Sequence, residues 1–126
     1  MSSSTATRNV LLVDDNEDSA QTLAMVLRQY NHIVEICTHP AQALDTLRNF
    51  RPDVVLLDIG MPNVNGYELA RDIRQMEGYR DVKLIAVTGY GLPEDKALAR
   101  EAGFNHHVVK PVDIEQILGF IALPSK

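Results

Sequence analysis

Asp14-Asp15, Asp58, Thr88 and Lys110 are the residues of this chain whose types and placement could do chemistry together. Each closes an apolar run. Val10-Leu11-Leu12-Val13 ends on Asp14-Asp15, Val54-Val55-Leu56-Leu57 on Asp58, Leu84-Ile85-Ala86-Val87 on Thr88, and Val108-Val109 on Lys110-Pro111. A charged side chain cannot continue a buried run without a partner, so these residues mark where strands leave the core. Gly60 and Pro62 are turn residues and put Asp58 at a strand tip facing solvent. If the strands are parallel, three carboxylates, a hydroxyl and an amine converge on one crevice. Three carboxylates that close repel one another, and one would stay protonated unless a cation intervened. Mg²⁺ suits the conflict, because it takes oxygen ligands and usually binds through one or two carboxylates plus a phosphate. Lys110 offers the phosphate a point charge and Thr88 a hydroxyl donor. Asp58 can serve as a nucleophile and form an aspartyl phosphate. The metal would neutralise charge on the entering phosphoryl group.

The elements that must position these residues follow from the hydrophobic pattern. Asn9 to Val13 reads as a strand, and Asp15 or Asn16 can cap the helix after it, which runs to about Tyr30 with Ala20, Leu23, Ala24 and Leu27 inward. Ile33 to Cys37 alternates around Glu35 and fits an edge strand. Pro40 opens a second helix with Ala43, Leu44 and Leu47 on its inner stripe. The strand ending at Asp58 follows, two of its four apolar residues β-branched, as in a strand buried on both faces. Tyr67 to Met76 forms a third helix with Leu69, Ala70 and Ile73 inward. The strand Val82 to Val87 ends at Thr88, and Gly89-Tyr90-Gly91 makes a loop. Pro93 opens a fourth helix and Gly103 closes it. His107 to Val109 is a fifth strand, and Asp113 caps a last helix with Ile114, Ile117, Leu118 and Ile121 on one face.

Five strand–helix repeats with short connections predict an α/β fold, a doubly wound five-stranded parallel sheet with helices on both faces. In the flavodoxin-like order 2-1-3-4-5, ligands bind at the carboxyl ends of the strands beside the switch point between strands 1 and 3. Asp14, Asp15 and Asp58 sit on those two neighbours, and strands ~4.8 Å apart bring their carboxylates near contact. The expected division is a lead-in over 1–8, one domain over 9–123 and a tail over 124–126.

With 126 residues, 45% hydrophobic and 23% charged, the chain has the size and balance of one soluble globular domain. A net charge of -5 argues against non-specific binding to nucleic acid or acidic membrane. The single cysteine, Cys37, cannot form an internal disulfide. No apolar run approaches the ~20 residues needed to span a bilayer. The first seven residues lack the apolar core of a secretory signal, and a cytoplasmic location is expected.

Each part of the constellation has an ordinary explanation. Asp14 and Asp15 could only cap a helix, Thr88 only end a strand, and Lys110 be a solvated loop charge. All of them being incidental would require every strand but the edge one to end by coincidence on a complementary group. The combination Asp14-Asp15, Asp58 with Gly60-Met61-Pro62 and Gly66, Thr88, and Lys110-Pro111 resembles the response-regulator receiver domain, from Val10 to about Ile121. The resemblance implies that Asp58 is the phosphoacceptor and that Asp15, Asp58 and the carbonyl of Gly60 bind Mg²⁺ directly, with Asp14 acting through a water. It implies that Lys110 binds phosphate, that its bond to Pro111 is cis, and that Thr88 turns toward the phosphoryl group as the switch. It implies a sensor histidine kinase or histidine phosphotransfer protein as phosphodonor, and a downstream protein target. Gly60 and Tyr90, two residues past Asp58 and Thr88, border the approach of water and would set the lifetime of the phosphoryl group.

One departure concerns His107, which stands where many receivers carry Tyr or Phe as the aromatic that moves inward with the hydroxyl. The run from Asn105 to Asp113, with Thr88-Gly89-Tyr90-Gly91, is similar to receivers of hybrid histidine kinases. His106 and His107 cannot chelate a metal together, since strand neighbours point to opposite faces. Other readings remain: an aspartate-nucleophile phosphatase, a degenerate receiver used only for protein contacts, or a flavin module. The phosphatase pattern wants a second Asp two residues after the first, where Gly60 stands. A flavin module wants a hydroxyl- and glycine-rich loop after the first strand, and no G-x-x-x-x-G-K-[ST] is present.

Overall fold

The structure is a computed structural model whose description covers residues 7–62, 64–89 and 93–123. Tyr90, most of the lead-in and the tail 124–126 lie outside the described residues. In chain order the elements are β1 (Asn9–Val13), α1 (Glu17–Gln29), β2 (Ile33–Cys37), a single 3₁₀ turn (Pro40–Gln42) running into α2 (Ala43–Phe50), β3 (Val54–Asp58), α3 (Gly66–Gln75), β4 (Lys83–Thr88), α4 (Pro93–Ala102), β5 (His106–Val109) and α5 (Ile114–Ala122). All strand pairs are parallel and the order is β2-β1-β3-β4-β5, so the expected doubly wound sheet is the one observed.

Strand alternation sends side chains to two cores. Leu11, Val13, Val55 and Leu57 pack with Leu47 of α2, Ile73 of α3 and Ala99 of α4 on one face. Val10, Leu12, Val54 and Leu56 pack with Ala24 and Leu27 of α1 and Ile117 and Ile121 of α5 on the other. β3 is buried along its whole length, as its unbroken apolar run requires.

The boundaries differ from the pattern where side chains take over backbone bonding. Asn16, not Asp15, caps α1, its side chain accepting from the Ser19 N–H. Pro40 opens the 3₁₀ turn before α2 proper, with the Gln42 N–H bonded to the His39 carbonyl at 2.8 Å. Asn65 accepts from the N–H groups of Tyr67 and Glu68, so α3 starts one residue early, at Gly66. β5 begins at His106, because Asn105 already pairs with Leu84 through its N–H (2.7 Å) and its side-chain oxygen (2.8 Å).

Candidate functional site

β1 and β3 lie side by side with Val13 opposite Leu57, so Asp14 and Asp58 leave the sheet next to each other at its carboxyl edge. One carboxylate oxygen from each of Asp14, Asp15 and Asp58 lies within 4.8 Å of the others. Asp58 is buried at 6% exposure, Asp14 is half-buried and Asp15 exposed. Two acids are aimed by the same local device, a carboxylate accepting the backbone N–H two residues on. Asp14 Oδ1 takes the Asn16 N–H at 2.9 Å, and Asp58 Oδ1 takes the Gly60 N–H at 2.8 Å. The backbone amide of Gly60 is a contact that sequence reasoning missed, and the Asp-x-Gly turn spacing was the signal for it. A side chain at Gly60 would sit 3.4 Å from that same Asp58 oxygen.

Lys110 reaches in from the end of β5, its Nζ 3.0 Å from Asp58 Oδ2, and the Lys110–Pro111 peptide bond is cis. Thr88 is buried on the neighbouring strand end, and its carbonyl accepts the Lys110 N–H at 2.7 Å. The crevice therefore collects Asp14, Asp15, Asp58, Thr88 and Lys110 from four strand ends. Burial, the largest cause, holds the Asp14 carboxyl above its ordinary pKa; the Asn16 N–H pulls it down and the charge of Asp58 raises it further. A cation among these oxygens would relieve both the burial and the repulsion, so the donor set fits a hard divalent ion.

His107 is half-buried, and both of its ring nitrogens are shielded from water without a hydrogen-bond partner among the described residues. Burial, then the charge of Lys96, push its pKa down, with Asp95 opposing. His106 faces the other way, its ring stacked on Phe120 of α5 at 4.1 Å and 8°. Beside Asp58 and Lys110 opens a cavity of about 540 Å³, walled by Leu23 and Val26 of α1 and by Pro111 and Val112.

Residues 10–122 match the family profile of the response regulator receiver domain. The chain belongs to that family. It is 35% identical over 116 residues to the CAI-1 autoinducer sensor kinase/phosphatase CqsS of Vibrio cholerae, covering 91% of this chain and 17% of CqsS. It is 30% identical over 116 residues to an uncharacterized 14.6 kDa protein of Leptolyngbya boryana, covering 92% of this chain and 88% of that protein. Among solved structures, chemotaxis protein CheY4 of V. cholerae superposes with a TM-score of 0.86 at 28% identity, covering 94% of this chain and all of CheY4. The chain thus spans a small part of CqsS and nearly the full length of the other two. It is a receiver domain of two-component signalling, and its acidic cluster is consistent with a phosphoacceptor site. Membership of the receiver family does not favour the reading of an aspartate-nucleophile phosphatase. No described helix is long and apolar enough to cross a membrane.

Proposed function

We propose that this receiver accepts a phosphoryl group on Asp58 from the phosphohistidine of a sensor histidine kinase or phosphotransfer protein. The observation that carries the reading is the pairing of Asp58 with Lys110 inside the acidic cluster. A carboxylate oxygen of Asp58 forms the new O–P bond while the P–N bond to the donor imidazole breaks, and the electron pair leaves with the imidazole. Lys110 moves from the carboxylate to the phosphoryl oxygens as their charge arrives. The Gly60 N–H holds the other Asp58 oxygen and keeps the carboxylate aimed. Asp15, Asp58 and the Gly60 carbonyl would hold Mg²⁺ directly, with Asp14 acting through water. Bound there, the ion supplies positive charge for the phosphoryl oxygens and cancels the repulsion among the acids.

Thr88 reads the phosphoryl group from the end of β4, and His107 relays the change toward α4. Gly60, which carries no side chain beside Asp58, leaves the phosphoryl group open to water, and Gly60 and Tyr90 together set its lifetime. The apolar walls beside Asp58 offer a protein donor a surface next to the nucleophile. The output is contact with a downstream protein or onward phosphotransfer, in the cytoplasm, without nucleic acid or membrane.

The test is phosphotransfer from a panel of phosphorylated histidine kinases and phosphotransfer proteins, with and without a chelator. Transfer from at least one donor, lost on chelation, is expected. Equal transfer with the chelator would remove the metal assignment, and no transfer from any donor would favour a receiver used only for contacts.

A further inference from the structure

Two cations far from Asp58, the buried Lys83 and the half-buried Arg74, take no part in this chemistry. Lys83 is the first residue of β4, five residues and about 17 Å of strand from Thr88. It is 2% exposed, and its ammonium donates to the carbonyls of Phe120, Ile121 and Leu123. These are carbonyls of the last turn of α5 and just past it, where a helix leaves its acceptors unsatisfied and its dipole is negative. α5 has no basic residue of its own in that turn, so β4 supplies the charge. His106 adds a second hold on the same turn through its stack on Phe120.

Arg74 of α3 does the same for α4. Its Nε and Nη2 donate to the carbonyl of Gly103, one residue past α4, at 2.9 and 2.6 Å. Nη2 also reaches Asn105 Oδ1 at 2.8 Å, and Nη1 donates to the carbonyls of Val82 at 2.6 Å and Arg80 at 2.9 Å. Asn105 Oδ1 accepts the Leu84 N–H as well, closing the network onto β4. Gly103 has φ 109°, and a Cβ there would lie 2.9 Å from Arg74 Cγ, so the side chain and the helix end fit each other. Neither cation has a carboxylate within ion-pair distance among the described residues. Their charge is balanced by carbonyl groups, most of them at helix ends.

α4 follows the carboxyl end of β4 and α5 that of β5, where Ile114 lines the cavity beside Asp58, and both helices end at the opposite edge of the sheet. We propose that Lys83 and Arg74 pin the far ends of α5 and α4 to the start of β4, so that phosphorylation tilts the two helices about fixed ends. The surface that changes for a downstream protein is then the half of α4 and α5 nearest the site. This rests on the switch reading above.

Hydrogen exchange read by mass spectrometry on the whole chain, with Mg²⁺ and with or without beryllofluoride, tests it. In wild type, beryllofluoride should alter exchange in the loop after Asp58 and in the first turns of α4 and α5. Residues 99–105 and 120–123 should stay within about twofold. In Lys83→Met the last turn of α5 should exchange at least ~10-fold faster in both states, and the beryllofluoride response should extend to it. Arg74→Lys, which keeps the charge and loses the fork, should show the same spread in α4. Far ends that respond in wild type as strongly as the near ends overturn the inference, even if neither variant folds. So does a folded Lys83→Met with an unchanged pattern. No response in the loop after Asp58 would overturn the switch reading itself, and the inference with it.

Discussion

Replacing Asp14 by Asn should make the metal-free domain more stable and deprive it of its gain from Mg²⁺. The acidic oxygens lie within 4.8 Å of one another, and two unit charges at that distance repel by about 0.9 kcal/mol in water and about 3.5 kcal/mol at an effective dielectric of 20. Asp14 is half-buried, Asp15 is exposed, and Lys110 stands 3.0 Å from Asp58, so the lower figure governs. Asn retains an oxygen for the Asn16 N–H, so the turn is kept. The expected gain is about 1 kcal/mol at pH 7, or roughly 3–6 °C in Tm for a chain of this length. Wild type in Mg²⁺ at ten times its dissociation constant should gain about 1.4 kcal/mol, and the variant much less. The pH dependence has a definite sign. The folded-state pKa of Asp14 is raised, so the folded state binds that proton more tightly than the unfolded chain does. The associated stability is present below the ordinary value of 3.8 and lost as pH rises through the raised one. The variant's advantage should therefore shrink on acidification toward pH 3.8. Thermal and urea unfolding with and without MgCl₂ measure all of this. A metal-free variant no more stable than wild type, or one that gains equally from Mg²⁺, would refute the reasoning.

Three further outcomes follow from individual contacts. A Cβ at Gly66 would lie 2.7–2.9 Å from Ile59, backbone included, so Gly66→Ala should cost about 1–3 kcal/mol. Because Ile59 links Asp58 to Gly60, phosphorylation should also slow, and unchanged unfolding and labelling would contradict the packing. His32 is 4% exposed, with Nδ1 accepting from the Arg8 N–H, and burial followed by the Arg8 charge lowers its pKa. A lowered histidine pKa makes the folded state bind the proton less tightly than the unfolded chain, so stability should fall as pH drops below 6.5. His32→Gln should flatten that fall in urea titrations between about pH 7 and 5, and an unaltered slope would clear His32. His107→Phe removes two buried, unpartnered nitrogens and should raise stability by about 1 kcal/mol. No gain in unfolding experiments would mean that the ring finds water in solution.

The fold and the crevice were legible because both are written in local pattern. Each central strand is an apolar run that ends on the residue it delivers, and strand–helix alternation leaves few topologies. The spacing of Asp14, Asp58 and Lys110 therefore carried over into three dimensions with little change. Contacts that join distant residues through the backbone were not legible. Val82 and Lys83 read as the start of one strand, yet Lys83 is buried because α5 ends above it without a basic residue. Nothing in the sequence marks Arg74, whose guanidinium finds its acceptors where the chain passes Arg80 and Val82 and returns at Gly103 and Asn105. Asn65 and Asn105 moved the starts of α3 and β5 through side-chain bonds that hydrophobic periodicity does not register.

The most direct test of the central claim is to find where a phosphoryl group lands. The chain is incubated with acetyl phosphate and Mg²⁺, the acyl phosphate is trapped by borohydride reduction, and the modified residue is located by mass spectrometry. The account predicts modification at Asp58, its loss in Asp58→Asn, and its loss on chelation in the wild type. Modification at Asp14 or Asp15 instead, or at wild-type level in Asp58→Asn, would contradict it.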